Sequence, residues 1–218
     1  MKKPRICAVV TDDNPEALTS VLPLVDLLEV RIDLIGEGWP GVVPQLSKPW
    51  IACNRIASEG GGWRGGEAGR VAALLQAVAL GAAMVDIELA TEDLSNILRQ
   101  IKGKARCILS YHDLQKTPPL DELKGIVHRQ MDAGADISKV VPTALNLRDN
   151  LTVLELISAF PEEKLISFAM GPPGSVSRVL CPLVGGEFTY AAIREGSESA
   201  AGQLTVSALA RIYELMGI

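Results

Sequence analysis

Eight short β-rich runs alternate with helical stretches along almost the whole chain, and this alternation restricts the fold more than any other feature. Such βα alternation indicates a parallel sheet whose strands are joined by helical crossovers. The predicted strands are Ile6–Val10, Leu27–Asp33, Trp50–Asn54, Met84–Leu89, Cys107–His112, Ile137–Pro142, Leu165–Met170 and Phe188–Ala192. The predicted helices are Asn14–Val25, Glu67–Leu80, Glu92–Ile101, Leu120–Ala133, Leu147–Ala159 and Gly202–Met216.

Either a closed barrel or an open doubly wound sheet satisfies this alternation. Eight strands, several with charged residues on one face, favour the barrel, because its interior receives such residues near the top. The 218 residues fit one domain, since barrels of about 200–250 residues are routinely single domains. We therefore expect an α/β protein in which residues 1–218 form a single (β/α)8 TIM-barrel domain.

Charge and composition exclude several classes of partner. The formal net charge of −5 gives no basic field for nucleic acid, so any anion site must be local. No segment approaches the ~20 apolar residues of a membrane span, and the N-terminal apolar run is too short for a signal peptide. The four separated cysteines and two histidines do not form a zinc motif. We expect a cytoplasmic protein with buried free thiols and no metal, nucleic-acid or membrane partner.

Charged side chains occur within otherwise apolar strands. In Leu27–Asp33 the side chains of Glu29, Arg31 and Asp33 share one face, which should point into the barrel. Buried charges must pair with one another or hold a ligand. The alternative to a ligand site is a Glu–Arg–Asp ion network that closes the barrel. Asp86 and Glu88 repeat the pattern, and we interpret them as internal carboxylates that organise neighbouring cations.

His112 and Lys139 lie on successive predicted strands and should be neighbours at the barrel top. An imidazole suits proton transfer near neutral pH, although a lone histidine is often structural. A lysine in a buried strand is unusual, and desolvation favours a neutral amine that can attack a carbonyl to form a Schiff base. The alternative is an inward lysine paired with Glu29 or Glu88.

Arg31, Arg55 and Arg178 lie at predicted strand ends or in the loop that follows one, where they predict an anionic substrate. The glycine-rich segment 59–66 lacks the spacing of a phosphate-binding loop. We interpret it as a mobile βα loop that brings Glu59 to the barrel mouth. After the last strand, Ser199 and Gln203 could fold over a ligand.

Five short motifs, taken in order, resemble those of the type I 3-dehydroquinate dehydratases over nearly the whole chain. They are Glu29-Val-Arg-Ile-Asp33, Asp86-Ile-Glu-Leu89 followed by Ile108-Leu-Ser-Tyr-His-Asp113, Asp136-Ile-Ser-Lys139, Met170-Gly with Ser177-Arg178, and Ser199-Ala-Ala-Gly-Gln203. The last motif departs from the family pattern at Ala201, where proline is usual. Its spacing from Tyr190 also leaves Ser197 as an alternative to Ser199 for the substrate contact.

The resemblance implies a hydro-lyase of the shikimate pathway that converts 3-dehydroquinate to 3-dehydroshikimate without a cofactor. It implies that Lys139 forms the imine, that His112 moves the proton and that Glu59 orients His112. It implies that Arg178 binds the substrate carboxylate, and that Phe168 and Met170 wall the pocket. The residues implied to hold ring hydroxyls and loops are Glu29, Arg31, Arg55, Ser199 and Gln203. The expected partner is a small anionic keto acid, and a homodimer is expected from the family.

Two other functions fit parts of the pattern. A class I aldolase also uses a barrel lysine as an imine, and cleavage of a sugar phosphate would distinguish it. A non-catalytic barrel that binds carboxylates predicts that Lys139→Ala changes no activity. The chemistry agrees with the dehydratase, because an iminium acidifies the neighbouring C–H and one base near neutral pH can then move both protons. A class I aldolase usually lacks the arrangement of His112 and Glu59.

Overall fold

The computed structural model describes residues 3–218 and contains one eight-stranded parallel sheet. The strands are β1 (Ile6–Val10), β2 (Leu27–Arg31), β3 (Trp50–Cys53), β4 (Met84–Glu88), β5 (Arg106–His112), β6 (Ile137–Val141), β7 (Leu165–Ser167) and β8 (Thr189–Ala192). Each strand from β1 to β6 pairs with the next in the chain, and β1 also pairs with β8. Between β7 and β8, the backbone N–H of Glu187 donates to the carbonyl of Leu165 at 2.9 Å. The predicted (β/α)8 barrel is confirmed, in a nearly closed form.

Helices connect the strands in the predicted order. They are α1 (Pro15–Val21), α2 (Ile32–Ile35), α3 (Glu67–Ala79), α4 (Leu94–Ile101), α5 (Leu120–Asp132), α6 (Asp149–Ala159), α7 (Ser175–Leu180) and α8 (Val206–Leu215). Short 3₁₀ segments are Leu22–Leu24, Gly36–Gly41, Val43–Gln45, Ala57–Glu59, Pro172–Gly174 and Cys181–Leu183. No helix within residues 3–218 has the length and apolar character needed to cross a membrane.

Local sequence explains where the helices begin and end. Asn14 caps α1, its side-chain oxygen accepting a hydrogen bond from the N–H of Ala17 at 3.0 Å, and proline follows at the first helical position. Gly81 and Gly134, shortly after α3 and α5, have positive φ angles of 93° and 96°. This conformation ends a helix at little steric cost only when the residue is glycine.

Two strands end more than one residue before their predicted ends. The second ends at Arg31, and Asp33 lies in the single-turn helix α2, so Asp33 does not continue the inward row of side chains. The seventh ends at Ser167, although the N–H of Met170 still donates to the carbonyl of Pro142 at 2.7 Å. Alternation of side chains does not reveal where a strand leaves its partner, because the chain beyond that point can remain buried.

The barrel interior has an apolar layer beneath a polar one. Buried apolar side chains form a cluster at the level where the strands begin, among them Leu27, Ile51, Met84, Ile108 and Ile137. Two residues further along the same strands come Glu29, Cys53, Asp86, Ser110 and Lys139, all buried. Since side chains two apart share a face, the polar layer must lie directly above the apolar one. All four cysteines are buried and free, as predicted.

Candidate active site

The polar layer forms the floor of a cavity of about 300 Å³ at the carboxyl ends of the strands. All the predicted site residues line it: Glu29, Arg31, Arg55, Glu59, His112, Lys139, Phe168, Met170, Arg178, Ser199 and Gln203. Strand pairing brings the key positions together, because Ser110 on β5 is in register with Lys139 on β6, and His112 with Val141. The cavity therefore lies where TIM-barrel active sites are found.

Lys139 is held between two carboxylates at the base of the cavity. Its Nζ atom lies 2.7 Å from Oδ2 of Asp86 and 3.9 Å from Oε1 of Glu29. The ring centroid of Tyr190 lies 4.2 Å from the same nitrogen, and only 5% of Lys139 is exposed. Of the two partners that the alternative interpretation offered, Glu29 is present but more distant than Asp86. Glu88 binds two arginines instead.

His112 and Glu59 form a hydrogen-bonded pair at the rim of the cavity. Oε2 of Glu59 lies 2.8 Å from Nδ1 of His112 and also accepts a hydrogen bond from the backbone N–H of His112 at 3.0 Å. Burial, with Arg55 and Lys139, lowers the pKa of His112 well below its usual value. Burial also raises the pKa of Glu59 to about 7, although Arg55 opposes the rise. With Nδ1 directed to Glu59, Nε2 is free to accept a proton.

The glycine-rich loop reaches Glu59 because it folds tightly against β2 and β3. A Cβ atom at Gly61 would overlap the carbonyl of Arg55, and one at Gly62 would lie 2.7 Å from the carbonyl oxygen of Asp33. Glycine is therefore required at both positions by close backbone contact, not by phosphate binding. The N–H of Gly62 donates to Oδ2 of Asp33 at 2.8 Å, and Asp33 also binds Arg31.

Arg55 belongs to a buried ion network below the cavity. Its guanidinium contacts Asp86 and lies 3.0 Å from Oε1 of Glu88, and Arg55 also donates to Ser110 at 2.6 Å. Arg70, on the helix α3, reaches into the barrel to bind the other oxygen of Glu88. Arg55 therefore acts first as a partner of internal carboxylates, and Arg31 is likewise neutralised by Asp33. All three arginines predicted to face the mouth line the cavity, but the guanidinium groups of Arg31 and Arg55 are already paired with carboxylates.

Arg178 differs from Arg31 and Arg55 because no carboxylate neutralises it within residues 3–218. It is 2% exposed, its guanidinium carbon lies 4.6 Å from the ring centroid of Phe168, and its Nε and Nη2 atoms have no hydrogen-bond partner within residues 3–218. Burial lowers its pKa to about 10. A buried cation with unsatisfied donors that faces a cavity is a site for an anion, because leaving those donors unpaired is costly.

The segment after β8 covers one side of the cavity. Oε1 of Gln203 accepts hydrogen bonds from the backbone N–H of Ser199 at 2.8 Å and from its hydroxyl at 3.3 Å. The hydroxyl of Ser197 instead donates to the carbonyl of Arg194 at 2.8 Å, and Ser197 is not among the cavity-lining residues. The geometry thus favours Ser199 over Ser197 as the residue that faces a ligand.

Sequence reasoning missed three features of this site. Asp86 is the direct partner of Lys139, Tyr190 packs against the lysine nitrogen, and Thr143 lines the cavity. Tyr190 stands in an apolar strand, where an aromatic residue usually fills the core and so attracts no notice. The sequence predicts that Asp86 faces inward. Its position two residues after the apolar Met84 on the same face indicates how deep it lies in the barrel.

Glu29, Cys53 and Asp86 present the atom types of a metal site, their donor atoms lying within 4.8 Å of one another. The same carboxylates already face cations of the protein. Lys139 contacts both Glu29 and Asp86, and Arg55 contacts Asp86. The protein itself thus supplies positive charge at this position.

Residues 6–218 match the family model described as type I 3-dehydroquinase. The chain is 39% identical over 213 residues to the 3-dehydroquinate dehydratase of Dehalococcoides mccartyi strain CBDB1, which covers 98% of this chain and 96% of the relative. It is 33% identical to that of Methanocaldococcus jannaschii, over 98% of this chain and 99% of the relative.

A solved structure gives the same fold. The crystal structure of 3-dehydroquinate dehydratase from Geobacillus kaustophilus superimposes with a TM-score of 0.86 at 24% identity, covering 99% of this chain and 92% of that one. The match of the family model over almost the whole length, together with relatives well above 30% identity, leaves one assignment: the chain belongs to the type I 3-dehydroquinase family.

Proposed function

We propose that Lys139, His112 and Glu59 remove water from 3-dehydroquinate through an imine, giving 3-dehydroshikimate. The activity follows from the family: the chain is a 3-dehydroquinate dehydratase, a hydro-lyase of the shikimate pathway whose substrate is a small keto acid. The observation that carries the residue assignment is that the amine of Lys139 and the His112–Glu59 pair line one buried cavity.

The first step joins the substrate ketone to Lys139. The amine attacks the carbonyl carbon, and loss of water gives a protonated imine that Asp86 can face with its carboxylate. An iminium withdraws electrons more strongly than a ketone does, so the neighbouring C–H becomes acidic. Tyr190 and the buried surroundings exclude bulk water from the nitrogen during this step.

The second step moves a proton from carbon to the leaving hydroxyl. His112 is neutral because of its lowered pKa, so Nε2 can accept the proton from the carbon beside the imine. The same imidazole, now protonated, can donate to the departing hydroxyl. Glu59 holds the ring through Nδ1 and balances the transient positive charge. Hydrolysis of the imine then frees the product and Lys139.

Arg178 is proposed to bind the substrate carboxylate, because its two unpaired guanidinium nitrogens match the fork of a carboxylate. Phe168 and Met170 form the apolar wall beside it. We assign Glu29, Arg31, Ser199 and Gln203 to the ring hydroxyls and the covering loop. Arg55 we assign an indirect role, since its guanidinium is bound to Asp86, Glu88 and Ser110.

Borohydride reduction tests the imine. With 3-dehydroquinate and borohydride, mass spectrometry of the digested protein should find the adduct on Lys139. Lys139→Ala should lose far more turnover than substrate affinity, and His112→Ala should accumulate trapped imine without product. An unmodified Lys139 under turnover conditions, or near-normal turnover of His112→Ala, would contradict the assignment. The family favours this reaction over the aldolase and the non-catalytic barrel that the residues alone left open.

A homodimer and a cytoplasmic location stay predictions. Light scattering coupled to size exclusion would test the first, since a dimer should have twice the 23.2 kDa mass of the chain. Fractionation of the source cells would test the second.

A further inference from the structure

Two carboxylates flank the nitrogen of Lys139, and their surroundings differ sharply. The amine must lose a proton before it can attack a ketone, because an ammonium has no free electron pair. With Lys139 only 5% exposed and the ring of Tyr190 against its nitrogen, a neighbouring side chain is better placed than bulk water to take this proton.

Asp86 is poorly suited to accept it. Its carboxylate receives hydrogen bonds from Lys139 at 2.7 Å and from the hydroxyl of Ser110 at 2.7 Å, and it also contacts the guanidinium of Arg55. Protonation would break this network and remove the charge from one of the two carboxylates that the buried Arg55 contacts. Burial acts to raise the pKa of Asp86, but Arg55 and Lys139 outweigh it and hold that pKa far below its usual value.

Glu29 has the opposite surroundings. Its Oε1 atom lies 3.9 Å from Nζ of Lys139 and has no hydrogen-bond partner within residues 3–218. The residue is 3% exposed, so bulk solvent has little access to it. Burial raises the pKa of Glu29, opposed by Lys139 and then by Arg31, so the acid form is favoured once the lysine is neutral.

We propose that Glu29 is the base that takes the proton from the Lys139 ammonium and returns it when the imine forms. The inference rests on the proposed function and assigns Glu29 a role beyond binding ring hydroxyls. Two carboxyl groups beside one reacting nitrogen are thus given separate tasks: Asp86 remains an anion that faces the nitrogen, and Glu29 cycles between carboxylate and acid. When the surroundings of two neighbouring carboxyl groups separate their pKa values, one group can exchange protons while the other stays charged.

The protons balance through the step. Proton transfer from Nζ to Glu29 leaves an electron pair on the amine, which forms the C–N bond. A second proton then moves from the nitrogen to the former carbonyl oxygen, which becomes a hydroxyl and leaves one N–H on the nitrogen. That hydroxyl then departs as water with the proton from the Glu29 acid. The products are a protonated imine that keeps one N–H toward Asp86, a water molecule and the Glu29 carboxylate.

A substrate analogue without hydroxyl groups separates this role from hydroxyl binding. The compound 3-oxocyclohexanecarboxylate keeps the ketone for Lys139 and the carboxylate for Arg178 but offers Glu29 nothing to hold. The measurement is the rate at which borohydride-trapped adduct forms on Lys139 at saturating analogue, followed by mass spectrometry of the intact full-length enzyme. Glu155→Gln is the matched control, because it makes the same chemical change at an exposed position on α6.

We expect Glu29→Gln to slow adduct formation about a hundredfold at pH 7.5, the scale of a lost general base. Glu155→Gln should match the wild type. The deficit of Glu29→Gln should shrink as pH rises toward 10, because hydroxide then removes the lysine proton. Glu29→Asp keeps a base but places it farther from Nζ, and it should be intermediate; this variant decides the question if Glu29→Gln does not fold.

An unchanged rate in Glu29→Gln, or in Glu29→Asp if only that variant folds, overturns the inference. So does a deficit that stays constant up to pH 10, since a disturbed pocket would not respond to hydroxide. The proposed function fails separately, if wild-type enzyme and 3-dehydroquinate give no adduct on Lys139.

Discussion

One oxygen of Glu59 contacts two nitrogens of a single residue, His112: it lies 2.8 Å from Nδ1 and accepts a hydrogen bond from the backbone N–H at 3.0 Å. The backbone bond fixes where the carboxylate stands, and the ring bond fixes the orientation of the imidazole. Burial shifts the two side chains in opposite directions, raising the pKa of Glu59 to about 7 and lowering that of His112 well below its usual value.

These opposed shifts predict opposite effects of acid on two variants. Folded Glu59 binds more protons than unfolded Glu59 between pH about 4.5 and about 7, so its contribution to stability rises as pH falls. Folded His112 binds fewer protons than unfolded His112 below pH about 6.5, so its contribution falls. From pH 7.5 to 5.5, the unfolding free energy of His112→Gln should rise relative to that of Glu59→Gln, with about 2 kcal/mol of the difference coming from Glu59 alone.

Urea unfolding of both variants at the two pH values measures this difference, and comparing variants cancels the titration of all other groups. If the unfolding free energies of the two variants changed equally with pH, Glu59 and His112 would not titrate as their burial indicates.

Replacing Arg178 by methionine should stabilise the fold but reduce the apparent affinity for the substrate. The guanidinium is buried with two unpaired nitrogens, so an apolar side chain of similar length should add about 1–3 kcal/mol to the unfolding free energy. Loss of the carboxylate partner should raise KM about a hundredfold. Denaturation and steady-state kinetics test both expectations, and an unchanged KM would place the carboxylate elsewhere.

Alanine should be tolerated at one end of the glycine-rich loop and not in its middle. At Gly61 the new Cβ would overlap the carbonyl of Arg55, which should cost about 1–3 kcal/mol of stability and displace Glu59. At Gly66 nothing lies within 4 Å of the new atom, so both stability and kcat should stay near wild type. Equal effects at the two positions would show that loop flexibility, not close packing, requires the glycines.

Ser199 and Ser197 provide a matched pair for the covering loop. Ser199→Ala should raise KM about tenfold, as expected for one lost hydrogen bond to a ligand. The amount of borohydride-trapped imine at saturating substrate should change less. Ser197→Ala should leave KM unchanged, because its hydroxyl bonds within its own turn to Arg194. A larger KM for Ser197→Ala than for Ser199→Ala would reverse the assignment.

The barrel, and the residues that form its polar layer, were predictable because both depend on the regular alternation of residues along the chain. The two-residue repeat of strands places Glu29 above Leu27 and Asp86 above Met84, and neither inference needs tertiary information. The resemblance to a known family supplied the roles of Lys139 and His112, which period alone left open.

The partners within that layer were not predictable. Whether Lys139 meets Asp86, Glu29 or Glu88 depends on the register between strands and on how far each strand is tilted, and side-chain alternation specifies neither. Arg70 enters the same network from a helix, where its position only indicates an amphipathic surface. The alternation of side chains predicts a strand up to Asp33, two residues beyond its true end at Arg31.

The isolated cation Arg178 has a consequence for release as well as capture. The carboxylate it is proposed to hold is untouched by the reaction, so the departing molecule carries the same anchor as the arriving one. The contact with Arg178 therefore cannot by itself distinguish substrate from product. Discrimination between substrate and product must then come from contacts to the ring, and small planar carboxylates in an assay buffer should compete with the substrate for Arg178.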